Sequence, residues 1–272
     1  MTPERLAVRK TYKLWIGGAF VRSESGRYDE SGGVNFPRAS RKDVRDAVAA
    51  ARKASGAWAA RTAYNRGQIL YRAAEALESR AGVMGVPRDE VDASVDVLLH
   101  YAGWTDKLHA VLGGVNPVAA PFLSFSLPEP TGVVGIVAPD APPLLGLVAE
   151  LAPALAAGNV AVAILSEAEP LAGLDLAEVL GVSDVPGGAV NLLSGRRDEL
   201  AKALGAHRDL NAIVDAAGDA ELSTELDKLA AETIKRARHS VAATTYETAT
   251  DDALERIEAV TELKTAWHPV GA

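Results

Sequence analysis

Two short apolar runs separated by one helical segment dominate residues 129–165 and constrain the fold more than any other feature. Each run, TGVVGIVAP and then VAVAIL, is continuous and rich in β-branched residues, which is typical of a strand buried on both faces of a parallel sheet. The segment between them, APPLLGLVAELAPALAAGN, repeats leucine at helical spacing and ends at Gly158, a residue suited to a helix terminus. Strand, helix and strand of this length predict a right-handed βαβ unit. Its ligand site is expected at the carboxyl end of the first strand, residues 138–141.

Further segments extend this unit in the same alternating pattern. A helix is expected at about 171–180, and GAVNLLSG (188–195) predicts a third buried strand. A short helix at 199–204 and a fourth strand in LNAIVDAAG (210–218) follow. Residues 131–218 therefore predict four parallel strands in an open sheet with helices on its faces.

The segments before this sheet carry weaker signals. A β-hairpin region is expected within residues 11–36, where YKLWIGGAFV places two apolar runs around a Gly-Gly turn. Ser40 begins a capping box that opens a first helix. Further helices are predicted at about 64–80 and 89–112, and FLSFSLPEP (122–130) predicts a short edge strand, because its prolines fit only an edge or a turn.

The segments after the sheet are more polar. Residues 219–240 predict one charged amphipathic helix that ends in the basic run KRARH, whose cations would complement the helix C-terminus. Contact with phosphate or nucleic acid is the alternative for this run. Residues 240–252 predict a polar linker, and the tail predicts a short helix followed by a strand in TELKTAW.

Composition argues against several classes of function. The 272 residues are 48% hydrophobic, which supports a full core, and their net charge of −8 argues against a nucleic-acid binder. The absence of Cys excludes disulfides, thiolate metal sites and thiol catalysis by these residues, and it favours a reducing compartment. The charged N-terminal stretch lacks the apolar core of a signal peptide, and the most apolar window, residues 141–165, is interrupted by Glu150 and Asn159. We therefore expect a cytoplasmic protein with no membrane segment and no metal site.

Several segments together resemble the aldehyde dehydrogenase superfamily, specifically its cofactor-binding half. YKLWIGGAFVRSESGRY is similar to the family's opening hairpin, and AARKASGAWAARTAYNRGQILYRAAEALESRA is similar to its first helical pair. EPTGVVGIVAPDAPPLLGLVAELAPALAAGN matches its first βαβ unit, and DVPGGAVNLLSG matches the segment that follows. The similarity runs through residues 12–218. It implies a variant Rossmann domain, a separate catalytic domain and a small β oligomerisation arm.

The chain departs from the family pattern after the fourth strand. About fifty residues follow it, too few for a further domain of usual size, so we interpret the catalytic domain, with its nucleophilic Cys and general-base Glu, as absent. TELKTAW is similar to the family's C-terminal oligomerisation strand. The expected fold class is therefore α/β: a Rossmann-like open parallel sheet with flanking helices over residues 1–240, then a linker and an oligomerisation strand over 241–272. Edge strands at about 115–130 would belong to the arm.

The resemblance also implies a vestigial cofactor site at Ala138, Pro139, Asp140, Glu167, Gly195 and Gly218. In the family the turn after the first strand is P-W-N, and its Asn donates a hydrogen bond to the developing oxyanion. Here the turn is Pro139-Asp140-Ala141, and Ala cannot replace that donor. Loss of one such donor costs about 2.7–4 kcal/mol of transition-state stabilisation. No catalytic residue is expected.

Two nucleotide-binding signatures of the family are altered as well. K-P-x-E, whose Lys and Glu hold the adenosine ribose, is ILSE here (164–167) and has lost the Lys, which should weaken nucleotide binding roughly 10–100-fold. F-T-G-S, whose turn meets the pyrophosphate, is DAAG here (215–218), and its Asp adds negative charge. Arg197 and Ala201 stand where the family tends to have glycines. We expect no cofactor, or NAD(P) bound weakly.

Three hypotheses about function remain open. The first is a catalytically inactive subunit that serves as a structural or regulatory partner of a full-length aldehyde dehydrogenase, or that forms a homo-oligomer through its C-terminal strand. The second is a weak NAD(P)-binding oxidoreductase of the family that works only in complex. The third is a scaffold or metabolite-binding protein outside dehydrogenase chemistry.

Overall fold

The computed structural model describes residue 8 and residues 10–270, which form an α/β fold with two smaller β-sheets. The strands are β1 (Leu14–Ile16), β2 (Ala19–Val21), β3 (Tyr28–Ser31), β4 (Val34–Pro37), β5 (Gly114–Asn116), β6 (Phe122–Pro130), β7 (Val133–Val137), β8 (Val160–Ile164), β9 (Val190–Leu193), β10 (Ala212–Asp215), β11 (Arg236–His239) and β12 (Thr261–Pro269). The helices are α1 (Arg41–Ala59), α2 (Ala63–Ser79), α3 (Arg88–Trp104), α4 (Leu108–Leu112), α5 (Leu145–Ala156), α6 (Leu171–Leu180), α7 (Arg197–Gly205), α8 (Ala220–Thr233), α9 (Tyr246–Thr250) and α10 (Ala253–Glu258), with a 3-10 turn at Ala81–Val83.

The main sheet has the order β11-β10-β7-β8-β9-β1-β2. The five strands from β11 to β9 run parallel, and β1 joins β9 antiparallel. Every residue of β7, β8, β9 and β10 is buried. This explains why β7 and β8 are continuously apolar and why β9 and β10 each contain a single polar residue, Asn191 and Asp215. The four predicted parallel strands are therefore confirmed, and the structure adds strands at both edges.

Helices cover both faces of this sheet. On one face α1 and α7 pack on the central strands and α8 packs on β10 and β11. On the other face α5 packs on β7 and β8, and α3 and α2 lie outside it. All 12 residues of α5 are buried, so this helix is the centre of the second layer, and Gly158 follows it with a φ of +95°. The capping box at Ser40 opens α1 as expected.

A separate three-stranded antiparallel sheet, β12-β6-β5, forms an arm. Strand β12 pairs with β6 over nine residues, from Thr261 opposite Pro130 to Pro269 opposite Phe122. TELKTAW and FLSFSLPEP therefore pair within one chain. The prediction of a short edge strand in FLSFSLPEP is wrong, because β6 has nine residues and lies between β12 and β5. Its prolines fit because they lie beyond the part of β6 that pairs with β5. The predicted hairpin region consists of two hairpins: β1–β2, which turns at Gly17 with a φ of +65°, and β3–β4.

The predicted helix over 219–240 is wrong at its C-terminal end. Helix α8 ends at Thr233 because Ile234 adopts the left-handed conformation, with a φ of +56°. The basic run then forms β11, which pairs parallel with β10 at the sheet edge. The first cation of the run, Lys235, does complement a helix C-terminus, but the helix is α7 and not α8. Its Nζ donates to the carbonyl of Gly205, the last residue of α7, at 2.5 Å.

Two other boundaries also differ from expectation. The helix predicted over 89–112 is two helices, α3 and α4, separated at 105–107, a segment that contains neither Gly nor Pro. The expected linker over 240–252 contains the short helix α9, which Thr245 caps. Neither short helix carries a long apolar stripe, because each has only five residues, and periodicity therefore gave no signal.

Candidate functional site

The candidate site lies at the carboxyl edge of the main sheet, where β7 ends and the turn Ala138-Pro139-Asp140 begins. Pro139 lies against Gly146 of α5, and this close approach is possible because glycine has no Cβ. A Cβ at that glycine would be 2.3 Å from Pro139 Cγ. This contact holds the turn beside the first part of α5. The Asp140 side chain, which is 44% exposed, therefore faces the neighbouring strand ends.

An ion pair with Arg197 dominates the surroundings of Asp140. Arg197 Nη2 donates to Asp140 Oδ1 at 2.6 Å, and Nη1 donates to Oδ2 at 2.9 Å. The backbone N–H groups of Glu167 and Ala168 donate to Oδ1 at 2.9 and 3.3 Å. Burial acts to raise the pKa of Asp140, but the bonds and charge of Arg197, with the two N–H groups, outweigh it and hold the pKa below its ordinary value. Asp140 is therefore a paired carboxylate.

Glu167 is similarly engaged by groups of the chain itself. Its Oε2 accepts a hydrogen bond from the backbone N–H of Arg197 at 2.8 Å, and its Oε1 accepts one from Arg196 Nη1 at 3.0 Å. Arg197 Nη2 also donates to the carbonyl of Ala138 at 3.1 Å. The structure thus brings Ala138, Asp140 and Glu167 together around Arg197, and we call these four residues the Arg197 cluster.

The two predicted glycines, Gly195 and Gly218, lie just before α7 and α8. Each position calls for glycine for a different local reason. Gly195 has a φ of +145°, and a Cβ there would be 3.0 Å from the backbone nitrogen of Ala39. It therefore permits the close approach of the chain that leads into α1. Gly218 has a φ of +72° and open space around it, so only its turn conformation calls for glycine. Neither contacts the Arg197 cluster through a side chain, since glycine has none.

Four helices begin at this edge, and in three of them, α5, α7 and α8, a carboxylate of the chain binds one or two of the first N–H groups. The N-cap residue of α6, Pro170, makes no side-chain hydrogen bond. For α5, the N–H groups of Leu144 and Leu145 donate to Glu90 Oε1 at 2.7 and 3.1 Å. For α7 the acceptor is Glu167, and for α8 it is Asp219, which accepts from two N–H groups at 2.9 and 3.1 Å. Helix N-termini are ordinarily anion-binding positions. Here side-chain carboxylates occupy these positions in α5, α7 and α8.

Asp215, at the end of β10, is 2% exposed and has internal partners. It accepts hydrogen bonds from Ser223 Oγ at 2.6 Å and from the N–H of Ala217 at 3.0 Å, and His239 Nδ1 lies 3.5 Å from it. Within the described part of the chain, no group of three or more His, Cys, Asp or Glu side chains is arranged to hold a metal ion.

A cleft of about 630 Å³ opens beside the Arg197 cluster. Glu167, Arg196, Arg197 and Lys202 line one side, and acidic residues of α8, including Glu225, line the other. The volume suits a small ligand. Its lining carries charges of both signs, so it presents no uniformly positive surface to phosphate groups.

Sequence reasoning did not identify the partners that define this site. The role of Asp219 could have been predicted from the sequence, because Asp directly before an amphipathic helix is a strong N-cap signal. The role of Glu90 could not have been predicted, since Glu90 lies 54 residues before the start of α5 and no local pattern marks the contact. Arg197 was noted only as a substitution for glycine, whereas the structure makes it the centre of the cluster.

The fold defines a doubly wound α/β protein with a crevice at the carboxyl ends of its parallel strands. The aldehyde dehydrogenase family model matches residues 25–260. An aldehyde dehydrogenase of Aspergillus niger is 31% identical over 232 residues, which cover 78% of this chain and 46% of that protein. The chain belongs to the aldehyde dehydrogenase family.

Other comparisons agree with this assignment. The putative aldehyde dehydrogenase DhaS of Bacillus subtilis is 30% identical over 248 residues, which cover 83% of this chain and 49% of that protein. The NAD+ complex structure of aldehyde dehydrogenase from Bacillus cereus superposes with a TM-score of 0.80 at 28% identity, covering 85% of this chain and 51% of that one. The chain thus spans about half the length of these relatives. Within the described residues, no helix has the length and apolarity needed to cross a bilayer.

Proposed function

We propose that this chain is a catalytically inactive aldehyde dehydrogenase-like subunit that acts as a structural or regulatory partner of a full-length aldehyde dehydrogenase. The observation that carries the proposal is the self-occupied crevice: Glu90, Glu167 and Asp219 accept the helix N–H groups that would otherwise bind an anionic ligand. The 272 residues also contain no Cys, so they cannot supply the nucleophile that the family resemblance implies.

Electrostatics strengthens this argument against a nucleotide role. A phosphate oxygen brought to within about 5 Å of one of these carboxylates would meet a repulsion of about 3 kcal/mol at an effective dielectric constant of about 20. That corresponds to on the order of 100-fold in affinity. Arg196 and Lys202 in the cleft lining reduce this repulsion, whereas Arg197 does so less because both of its terminal nitrogens already donate to Asp140.

The arm offers the surface through which a subunit would assemble. On one of its faces lie Phe122, Leu263 and Trp267, which are 39%, 60% and 59% exposed, and the rings of Phe122 and Trp267 are 6.0 Å apart. Among the described strands, β12 pairs only with β6, so its other edge is unpaired. Exposed apolar side chains and an unpaired edge together favour a protein partner.

Partner capture from the native host tests the proposal. The tagged chain should retain a full-length aldehyde dehydrogenase, and Trp267→Lys should release it. Val182→Lys is the matched control, because it places the same charge on an apolar side chain that is 51% exposed but lies outside the arm. Recovery of no dehydrogenase, or equal loss with both variants, would contradict the proposal.

The weak NAD(P)-binding oxidoreductase remains a second candidate, favoured by the cleft of about 630 Å³ beside Glu167. If it is correct, the purified partner complex should bind NAD(P) with a stoichiometry that counts this chain as well as the dehydrogenase. Under the first proposal, the stoichiometry equals the number of dehydrogenase subunits alone. Calorimetric titration of the complex separates the two.

A further inference from the structure

A buried ionic cluster links α5 to the C-terminal part of the chain. Glu150, in the middle of α5, is 3% exposed, and its Oε1 accepts hydrogen bonds from Arg256 Nη1 and Ser240 Oγ, each at 2.5 Å. Its Oε2 accepts one from Arg238 Nη1 at 3.1 Å. Asp252 accepts from Arg238 Nη2 at 3.0 Å and from Arg256 Nε at 2.5 Å. These five residues are the Glu150 cluster.

Four of the five members come from the segment that leads into the arm. Arg238 belongs to β11 and Ser240 follows it, whereas Asp252 and Arg256 belong to the start and body of α10. Only a short connection separates α10 from β12. Within it the carbonyl of Val260 accepts a hydrogen bond from Asn159 Nδ2 at 2.8 Å. The cluster therefore fixes the helix from which the chain enters β12.

Apolar packing on this segment involves mostly small side chains. Its buried apolar residues are three alanines, Ile257 and Val260, and α9 and α10 contact α3 and α5. The charged cluster is by contrast directional and balanced, with two guanidinium groups and two carboxylates. Burial acts to lower the pKa of Arg256, but the charge of Glu150 and the hydrogen bond to Asp252 outweigh it and raise that pKa.

We propose that the Glu150 cluster is a conformational lock that fixes α10 and β12 on the core and thereby sets the position of the arm. The lock is a property of the isolated chain. Its consequence, that assembly depends on an intact cluster, rests on the proposed role of the arm as an interface. Loss of the central carboxylate leaves buried guanidinium groups without their main partner, which is a strongly destabilising change.

Hydrogen exchange on the purified full chain tests the lock. In Glu150→Gln, peptides that cover 253–269 and 122–130 should exchange at least about 10-fold faster than in the wild type, because the arm strands open more often. Peptides from β7 and β8 should stay within about twofold, since these strands form the sheet centre. Unchanged exchange over 253–269, or equal acceleration in β7 and β8, would overturn the proposal.

Two further variants keep the test decisive. Asp252→Asn removes the partly exposed carboxylate, preserves Glu150 and should accelerate the same peptides by a smaller factor, so it replaces Glu150→Gln if that variant does not fold. Glu258→Gln makes the same chemical change on an exposed residue of α10 and should alter nothing. Equal effects of Glu258→Gln and Asp252→Asn would contradict the lock. Because exchange is measured without a partner, failure of the proposed subunit role leaves the result interpretable.

Discussion

Replacement of Arg197 by Ala is the most informative perturbation of the crevice. The side chain is 13% exposed and makes two hydrogen bonds to Asp140 and one to the carbonyl of Ala138. A hydrogen bond to a charged group contributes about 1.5–3 kcal/mol. Asp140 is 44% exposed and keeps two backbone donors, so solvent screening reduces the loss to about 1–2 kcal/mol of unfolding free energy.

Urea denaturation at neutral pH measures this loss directly. The midpoint should fall with an unchanged slope, and the melting temperature should drop by roughly 2–8 °C for a chain of this size. Arg196→Ala is the matched control. Its guanidinium is 54% exposed and makes one bond to Glu167, so its replacement should change the unfolding free energy by less than about 0.5 kcal/mol.

The pH dependence provides the refuting result. Arg197 holds the pKa of Asp140 below its ordinary value in the folded state, so the stabilisation is fully present above the unfolded pKa of about 3.9. It is lost as the pH falls through the lower folded pKa. The difference between wild type and Arg197→Ala should therefore be constant from about pH 7 to pH 5 and shrink below about pH 4. A difference that is absent at neutral pH, or that grows on acidification, would refute the assigned ion pair.

Two further substitutions test how the turn and the arm junction are built. Gly146→Ala should lower the unfolding free energy by about 1–3 kcal/mol, because its Cβ would meet Pro139 Cγ at 2.3 Å; an unchanged urea midpoint would contradict that contact. Asn159→Ala should cost about 2–3 kcal/mol, since Asn159 accepts from the N–H of Gly132 and donates to the carbonyl of Val260, each at 2.8 Å. Asn159→Asp keeps the acceptor but places a carboxylate oxygen against the carbonyl of Val260 at a fully buried position, so it should lower the melting temperature at least as much as Asn159→Ala.

The sequence allowed the central βαβ unit to be predicted because β7 and β8 are buried on both faces and must be continuously apolar. Strand β11 was missed for the opposite reason. It is an edge strand of four residues, RARH, most of which are exposed. A basic composition of this kind fits a helix end equally well. Its identity as a strand depends on pairing with β10, which is a tertiary fact.

The same distinction applies to the candidate site. Asp140 and Glu167 follow the ends of adjacent parallel strands, so their proximity was predictable from the sheet. The role of Arg197 was not, because its ion pair joins residues 57 positions apart. The sequence marked Asp140 only as part of a turn that has lost the family's oxyanion donor. The structure shows instead a compensated pair, in which two departures from the family pattern contact each other.

Calorimetric titration of NAD into the purified chain tests the central claim most directly. If the carboxylates of Glu90, Glu167 and Asp219 occupy the helix N-termini in solution, no saturable heat should appear up to about 1 mM ligand. Saturable binding of NAD by the wild-type chain in the micromolar range would contradict that claim.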